Sequence, residues 1–243
     1  MKRYYAPVPE NGVLDAEQSH HCAHVMKQGV GDLFAVFDGH GAEAKARITE
    51  IARDQVRFQI LAKATSPRPA HPVWLAQALT KAKSMDLIIE KATELGVSEL
   101  APLQSDHSVA HVDEEKAEAK IEKWQKLTIE AAKQCGQNWL PVVHPPTAPK
   151  DFVAALPRGA VKLIASLQHE ARPLKGVLRE HLSGLKSGTP IIVMIGPEGD
   201  FTPAEIGQAR SAGFIPVSLG KIILRAETAA FFALGAIAYE LME

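Results

Sequence analysis

The 243-residue sequence is poor in cysteine, in net charge and in long apolar runs. Its only cysteines are Cys22 and Cys135, so it has no disulfide framework and no CxxC metal pair, and a reducing compartment is expected. Lys and Arg number 27 against 28 Asp and Glu. The resulting formal net charge of −1 argues against a protein that binds nucleic acid through a global excess of positive charge.

Apolar segments long enough for targeting or membrane insertion are also missing. The longest run of apolar residues and glycine, residues 229–239, is well short of the roughly 20 residues that a membrane span needs. The N-terminal segment MKRYYAPVPENGV lacks the apolar core of a signal peptide. We therefore expect a cytoplasmic protein that does not associate with membranes.

The composition is typical of a globular chain of one or two domains, with 46% hydrophobic and 23% charged residues. The first part of the chain has short apolar segments, at residues 33–37, 44–48 and 55–61, and Asp38-Gly39 is a hairpin-type turn signal. These features predict a small β-rich barrel or sandwich. Three prolines within residues 67–72 then mark a linker.

Strands and helices alternate from residue 73 onward. Strands are predicted at residues 73–80, 97–103, 160–167 and 190–195, and helices at residues 84–95 (capped by Ser84), 113–134, 172–181 and 227–242, with a short helix near Asp151. The run 190–195 is continuously apolar, as in a strand covered on both faces. The sequence therefore predicts two domains, at residues 1–70 and 71–243, the second an α/β domain with a mostly parallel sheet.

The first candidate site is the loop Gly196-Pro197-Glu198-Gly199-Asp200, which leads from a strand into a helix. Thr202 and Glu205 form a capping-box pattern, with Pro203 at the first helical position. Glycines here suggest close approach to a ligand, but the two carboxylates would repel phosphate and no phosphate-binding lysine motif is present. A ligand with hydroxyls, amide-like edges and positive charge, such as S-adenosylmethionine, fits better. The alternative is a tight turn with no ligand.

A second glycine-containing segment, residues 217–230, repeats the order strand, glycine, apolar stretch and helix. Arg225 lies between Leu224 and an apolar helix, so its charge needs a partner, either a substrate or a carboxylate such as Glu227. The helix at residues 227–242 is apolar nearly all round. This pattern predicts burial in the domain or at a subunit interface.

Together the two segments resemble the cofactor loops of the SPOUT RNA methyltransferases, specifically the RsmE-type enzymes that methylate N3 of a uridine in 16S rRNA. The resemblance rests on Ile195-Gly196-Pro197-Glu198-Gly199 and on Leu219-Gly220-x-x-Ile223-Leu224-Arg225-x-Glu227-Thr228-Ala229. It extends to residues 24–26, 37–39, 81–86, 94–97 and 131–138, and so covers essentially the whole chain. Asp200 and Ala226 depart from the glycine and threonine that are frequent in the family.

The resemblance implies a SPOUT-like α/β domain with a trefoil knot, a PUA-like β-barrel, a homodimer and S-adenosylmethionine as cofactor. The partner would be 16S rRNA in the assembled small ribosomal subunit. No metal is expected, since the spacing of His20, His21, Cys22 and His24 matches no common zinc site. The cofactor contacts that carry over are Leu167, Gly196, Pro197, Glu198, Gly199, Leu219, Gly220, Ile223, Leu224, Arg225, Thr228 and Ala229.

The reaction sets the roles expected of the catalytic residues. N3 of uridine carries a proton and is a poor nucleophile. Arg225 is therefore expected to stabilise negative charge on the uracil oxygens, and Glu227, or else Glu198, to accept the proton. Because the net charge is near zero, RNA contacts are expected from local cations. These are Arg3, Lys27, Arg47, Lys81 and Lys83.

Three other functions stay open from the sequence. They are a non-catalytic RNA-binding ribosome factor with the same fold, a SPOUT methyltransferase of another RNA, and a metabolic enzyme that uses a nucleotide cofactor. The intact loop residues argue against the first. The missing phosphate motifs and the extra β-rich domain argue against the last.

Overall fold

The computed structural model describes residues 1–53 and 55–242, which form two compact units. The first comprises Met1–Arg68 and Ile129–Leu140, and the second comprises Pro69–Thr128 and Pro141–Glu243. The strands are β1 (Arg3–Tyr5), β2 (Leu33–Phe37), β3 (Ala42–Ala52), β4 (Gln55–Thr65), β5 (Val73–Ala78), β6 (Glu99–Leu103), β7 (Val142–Val143), β8 (Val161–Ala165), β9 (Arg172–Pro173), β10 (Ile191–Ile195) and β11 (Ile215–Ser218). The helices are α1 (Ala16–His20), α2 (Ala82–Glu94), α3 (Glu114–Cys135), α4 (Pro149–Ala154), α5 (Leu174–Leu182), α6 (Pro203–Ser211) and α7 (Ala226–Leu241).

A four-stranded sheet in the order β1-β2-β3-β4 forms the first unit, with β1 parallel to β2 and the other pairs antiparallel. Ala44, Ala46 and Ile48 of β3 are buried while the residues between them are exposed, as the alternating pattern predicts. At the turn before β3, the Asp38 carboxylate accepts hydrogen bonds from the backbone N–H groups of His40 and Ala42, at 2.7 and 3.0 Å. The three strands expected here are therefore confirmed.

Residues 129–140 belong to the first unit although they lie far along the chain. The Trp139 ring lies against the backbone of Gly41, and its Nε1–H donates to the carbonyl of Ser66 at 3.2 Å. The Gly41 N–H donates to the carbonyl of Asn138 at 2.9 Å. From the sequence this segment is expected in the second domain because it follows the linker, and local patterns carry no sign of these long-range contacts.

Seven strands build the sheet of the second unit in the order β7-β6-β5-β10-β8-β11-β9, and every neighbouring pair is parallel. The predicted α/β fold is confirmed. Apolar cores cover both faces: one includes residues of α2, α5 and α7, and the other includes residues of α4 and α6. Every residue of β10 is buried, in agreement with its continuous apolar composition.

Two helices begin at other residues than the sequence predicts. α2 begins at Ala82 with Lys81 at its N-cap and no side-chain cap, so the prediction that Ser84 caps it is wrong, because Ser84 already lies in the first turn. α5 begins at Leu174, since Arg172 and Pro173 pair with β11 as the short strand β9. The other predicted elements of the second unit are confirmed, with their ends shifted by two residues or fewer.

α7 is apolar nearly all round, but it is not buried on every side. Ala230, Leu234 and Ile237 face the core, whereas Phe232 is 50% exposed and Tyr239 is 73% exposed. Within residues 1–53 and 55–242, no helix combines the length and the apolar character that crossing a bilayer requires, α7 included.

We expect Gly41→Ala to destabilise the first unit more than Gly31→Ala. Gly41 has a φ of +99°, and an added Cβ would lie 2.5 Å from the Trp139 ring. Gly31 is a matched control, since its φ is +96° but nothing lies within 4 Å of its Cβ position. Both variants carry backbone strain of about 1–2 kcal/mol, and Gly41→Ala adds an overpacking cost of about 1–3 kcal/mol. Urea unfolding measures both, and equal unfolding midpoints would contradict the steric requirement for glycine at position 41.

Candidate functional site

A pocket with a volume of about 400 Å³ lies at the carboxyl ends of β8, β10 and β11 in the second unit. Its walls are three loops, drawn from residues 165–171, 195–200 and 218–229. Ligands of open parallel sheets bind at this edge, and the volume lies in the range of small-molecule sites. We take this pocket as the candidate functional site.

Most of the predicted cofactor contacts line the pocket. They are Leu167, Gly196, Pro197, Glu198, Leu219, Gly220, Ile223, Leu224 and Ala229. Gly199, Arg225 and Thr228 are neighbours of lining residues along the chain but do not line the pocket themselves. The contact of each residue with a ligand stays a prediction.

The loop after β10 is both a tight turn and a wall of the pocket. The backbone N–H of Asp200 donates to the carbonyl of Pro197 at 3.0 Å, which closes the turn. A Cβ on Gly196 would lie 3.2 Å from the backbone nitrogen of Phe201, closer than side-chain carbons usually come. The two interpretations of this loop from the sequence, a tight turn and a ligand-binding wall, are therefore compatible.

Glu205 joins the start of α6 to the loop after β6. The predicted capping box is confirmed: Thr202 Oγ1 accepts from the Glu205 N–H at 3.2 Å, and the Glu205 carboxylate accepts from the Thr202 N–H at 2.8 Å. The same carboxylate accepts from the Thr202 hydroxyl at 3.0 Å and from the Asp106 N–H at 3.1 Å. This buried side chain thus fixes the end of the pocket loop against a second loop.

His107 holds the same pocket loop from the β6 side. Its Nδ1 lies 3.3 Å from the carbonyl oxygen of Gly199 and 3.1 Å from that of Asp200. Because a carbonyl oxygen only accepts hydrogen bonds, Nδ1 carries the hydrogen in this arrangement. The imidazole therefore restrains the backbone of Gly199, one of the predicted cofactor contacts.

The polar groups of the lining favour a ligand with positive charge and hydrogen-bonding edges. Glu198 and Asp200 contribute two carboxylates, against the ammonium of Lys221 and the imidazole of His169, a balance that disfavours phosphate. Residues 221–224 form no backbone–backbone hydrogen bond with any residue that the structure describes. Their N–H and C=O groups are therefore open to a ligand.

The rim of the pocket is apolar. Leu167, Ile222 and Ile223 are 62%, 74% and 78% exposed, which is unusual for side chains of this kind beside a cavity. S-adenosylmethionine matches these features, because its adenine has an apolar face and a hydrogen-bonding edge, and its sulfonium and amino groups are cationic. The residues present therefore fit the predicted cofactor.

The two residues predicted to act on the substrate lie at the start of α7. Arg225 is the N-cap residue, and its neighbours Leu224 and Ala226 line the pocket. Arg225 is exposed. It forms no ion pair with Glu227, which is half-buried, nor with any other described carboxylate. The alternative of a structural pair is therefore not realised, and the guanidinium is available to a ligand.

Four of the predicted RNA-contacting cations are exposed: Lys27, Arg47, Lys81 and Lys83. Lys81 and Lys83 stand at the start of α2, which follows β5. Because β5 pairs in parallel with β10, these two lysines lie at the same carboxyl edge of the sheet as the pocket. Both are thus near the place where a large substrate would approach.

Arg3 has a different environment from the other predicted cations. Its guanidinium forms an ion pair with Glu43, donates to the side-chain oxygen of Asn138 at 2.6 Å and lies over the ring of Phe37, 4.8 Å from its centroid. These contacts occupy the charge within the first unit. The prediction that Arg3 contacts RNA has no support in this geometry.

Most of the loop after β8 carries no motif that predicts a site. Ser166, Gln168 and His169 line the pocket beside the predicted Leu167, yet the segment contains no glycine motif. Its one signal is topological, since the carboxyl end of the strand predicted at residues 160–167 must lie at the ligand-binding edge.

Two family models match the chain. Residues 66–238 match the model of an RNA methyltransferase domain, and residues 14–61 match that of an RNA methyltransferase PUA domain. The first match covers most of the chain, including all three loops of the pocket.

Relatives called ribosomal RNA small subunit methyltransferase E are similar over most of the chain. The Bacillus subtilis protein is 29% identical, and the aligned region covers 99% of this chain and 97% of that protein. The Synechocystis protein is 33% identical, and the aligned region covers 92% of this chain and 71% of that protein. The crystal structure of the enzyme from Neisseria gonorrhoeae, bound to S-adenosyl methionine, is 29% identical, with a TM-score of 0.85 and coverage of 98% of this chain and 97% of the other.

We expect Glu205→Ala to destabilise the second unit by about 3 kcal/mol, because it removes a buried carboxylate that accepts hydrogen bonds from the N–H groups of Thr202 and Asp106. Glu170→Ala is the control, since Glu170 forms an exposed pair with Arg210 that contributes about 1 kcal/mol or less. Urea unfolding followed by circular dichroism gives both values. A loss for Glu205→Ala no larger than that of the control would show that Glu205 does not hold the two loops.

Proposed function

Because the chain belongs to the ribosomal RNA small subunit methyltransferase E family of RNA methyltransferases, we propose that it transfers the methyl group of S-adenosylmethionine to N3 of one uridine in 16S rRNA. The substrate is the assembled small ribosomal subunit. The observation that carries the proposal is the pocket at the carboxyl edge of the sheet, lined by both glycine loops and flanked by Arg225, which has no ion pair within residues 1–53 and 55–242.

The cofactor is held by the three loops of the pocket. Backbone groups of residues 221–224 would bind the adenine edge, and the exposed side chains of Leu167 and Ile223 would cover its face. The Glu198 carboxylate would attract the positive charge of the amino and sulfonium groups. Gly199, Thr228 and the remaining predicted contacts complete the site. The bound cofactor supplies a methyl group that is already activated by the sulfonium.

Arg225 and Glu227 act on the uridine. The Arg225 guanidinium stabilises negative charge on the uracil oxygens as N3 loses its proton. The first turn of α7 contributes its partial positive charge at the same place. Glu227, which is half-buried beside it, accepts the proton, and Glu198 is the alternative acceptor. The uridine leaves its stack to reach this point.

RNA recognition rests on a few placed cations, since the formal net charge is only −1. Lys81 and Lys83, in the methyltransferase domain at residues 71–243, bind phosphates beside the pocket. Lys27 and Arg47 belong to the N-terminal domain at residues 1–70, which also binds RNA. A surface with so few cations depends on shape, which favours a folded ribosomal particle over free RNA.

The proposal includes a cytoplasmic homodimer and the trefoil knot that the resemblance implies. Phe232 and Tyr239 leave an apolar stripe of α7 exposed to solvent, as a subunit interface requires. Sedimentation equilibrium of the wild type and of Phe232→Glu tests the dimer, which the added charge should dissociate. An experimental chain trace tests the knot.

The central experiment incubates the protein, labelled S-adenosylmethionine and small subunits from a strain without this methyl group, and then maps the modified base. We expect one N3-methyluridine in 16S rRNA and much slower transfer to protein-free RNA. Calorimetry with S-adenosylmethionine accompanies it. Absence of binding would leave only a non-catalytic RNA-binding factor, and modification of a different RNA would redirect the substrate assignment.

We expect Arg225→Ala to lower kcat about 10²–10³-fold, because it removes an oxyanion-type stabilising group. The fold should persist, since Arg225 is exposed and has no protein partner among the described residues. Arg179→Ala, at an exposed arginine in the last turn of α5, is the control and should keep wild-type turnover. Near-normal kcat in Arg225→Ala would refute the catalytic assignment.

We expect the double change Lys81→Gln and Lys83→Gln to reduce the dependence of RNA affinity on salt, with the slope of log K against log salt concentration changing by about 1–2. Lys186→Gln is the control, because Lys186 is exposed and precedes β10, at the opposite edge of the sheet. Filter binding to small subunits over a salt series measures the slope. Unchanged slopes in the double variant would remove these lysines from the RNA interface.

A further inference from the structure

We propose that Asp200 is a positioning residue of the cofactor pocket, whose carboxylate joins the loop after β10 to the loop after β8. The inference rests on the proposed function, since it concerns how the same pocket holds S-adenosylmethionine. The sequence singled out Asp200 as an additional charge beside the site, and its contacts now give that charge a role.

The backbone of Asp200 adopts a conformation that side chains rarely tolerate. Its φ is +59°, in the left-handed region where glycine is the usual residue. Asp is among the few other residues found there, because its short side chain can form hydrogen bonds with nearby backbone groups. An aspartate at this position is therefore expected to make contacts that offset the strain.

The contacts of the Asp200 carboxylate span two walls of the pocket. Oδ1 accepts a hydrogen bond from the Phe201 N–H at 2.7 Å, within its own loop. Oδ2 accepts from the Leu167 N–H at 3.2 Å, in the loop after β8. Both Asp200 and Leu167 line the pocket. The bond between them thus ties together walls that come from different strands.

No other hydrogen bond or ion pair joins residues 166–171 to residues 196–200 within the described part of the chain. The loop after β8 is otherwise held at its base, where the Ser166 N–H donates to the carbonyl of Val217, and at its far end, where Glu170 forms an exposed ion pair with Arg210 of α6. Leu167 and the three residues after it are exposed. Without Asp200, no hydrogen bond or ion pair among the described residues would join Leu167 and its neighbours directly to the glycine loop.

The opposite side of Asp200 is also restrained. Its carbonyl oxygen lies 3.1 Å from Nδ1 of His107, in the loop after β6. Asp200 is therefore hydrogen-bonded through its carbonyl to the loop after β6 and through its carboxylate to the loop after β8. This arrangement makes Asp200 a rigid spacer, and pre-ordering a binding loop improves affinity because less disorder is lost when the ligand binds.

The test compares three substitutions that separate charge, hydrogen bonding and backbone strain. Asp200→Ala removes both acceptors and keeps the strain, whereas Asp200→Gly removes the acceptors and relieves the strain. Asp200→Asn keeps the size and the tolerance of a left-handed backbone, with one oxygen acceptor in place of two. Arg53→Gly is the strain control, because Arg53 has a φ of +50° and belongs to the first unit.

Calorimetry with S-adenosylmethionine and hydrogen exchange at the Leu167 amide give the decisive readouts. We expect Asp200→Ala and Asp200→Gly to raise Kd and KM for S-adenosylmethionine about tenfold, as for loss of a charge-assisted hydrogen bond. The Leu167 amide should exchange faster in both, with kcat at saturating cofactor nearly unchanged. Asp200→Asn should lie between these variants and the wild type, and Arg53→Gly should bind the cofactor as the wild type does.

Each other outcome counts against the inference. Wild-type Kd in both Asp200→Gly and Asp200→Ala would overturn it, and so would unchanged exchange at Leu167. A fall in kcat with unchanged KM would assign Asp200 to catalysis instead of positioning. Failure of the wild type itself to bind S-adenosylmethionine would instead overturn the proposed function, and this inference with it.

Discussion

Burial of β10 on both faces is the constraint on which the rest of the second unit depends. Its five residues are fully covered, and each apolar side chain contributes about 1.5–3 kcal/mol when removed from water. The strand pairs in parallel with β5 on one side and with β8 on the other, and the register of these pairs places the carboxyl ends of the three strands at the same edge of the sheet. The glycine loop, the end of β8 and the start of α2 therefore meet at one edge of the sheet because β10 fixes them there.

The loops at this edge are held mainly by side-chain acceptors on backbone donors. Glu205 accepts from the backbone of Thr202 and Asp106, and Asp200 accepts from that of Phe201 and Leu167. Carboxylates suit this work, because a charged acceptor makes a stronger hydrogen bond to a backbone N–H than a neutral one does. With Asp200 and Glu198 in its lining, the pocket has more carboxylates than ammonium groups, which suits a cationic cofactor and disfavours a phosphate-bearing one.

The sequence predicts well those features that depend on local chemistry. The run at residues 191–195, the capping box of Thr202 and Glu205 and the apolar helix α7 each follow from a pattern within one segment. Contacts between residues that lie far apart in the chain could not be predicted from such local patterns.

The structure adds three such long-range features. Arg3 forms an ion pair with Glu43 and a hydrogen bond with Asn138. The loop after β8 lines the pocket although it contains no recognisable motif. The Asp200 carboxylate accepts a hydrogen bond from the Leu167 N–H. The cap of α2 failed for another reason: Ser84 is a good capping residue, but the helix already begins at Ala82. The site could therefore be located from the sequence, but the way its walls are held could not.

The central position of β10 also sets the order in which the fold can be completed during synthesis. β5, β6, β7 and β8 all precede β10 in the chain, although β10 lies between β5 and β8. Until residues 191–195 leave the ribosome, one edge of β5 has no partner strand. β8 cannot join the sheet in that interval, because β10 is the strand that connects it to β5. Open strand edges invite pairing with other chains. The most vulnerable interval for the nascent protein therefore runs from the emergence of β5 to that of β10.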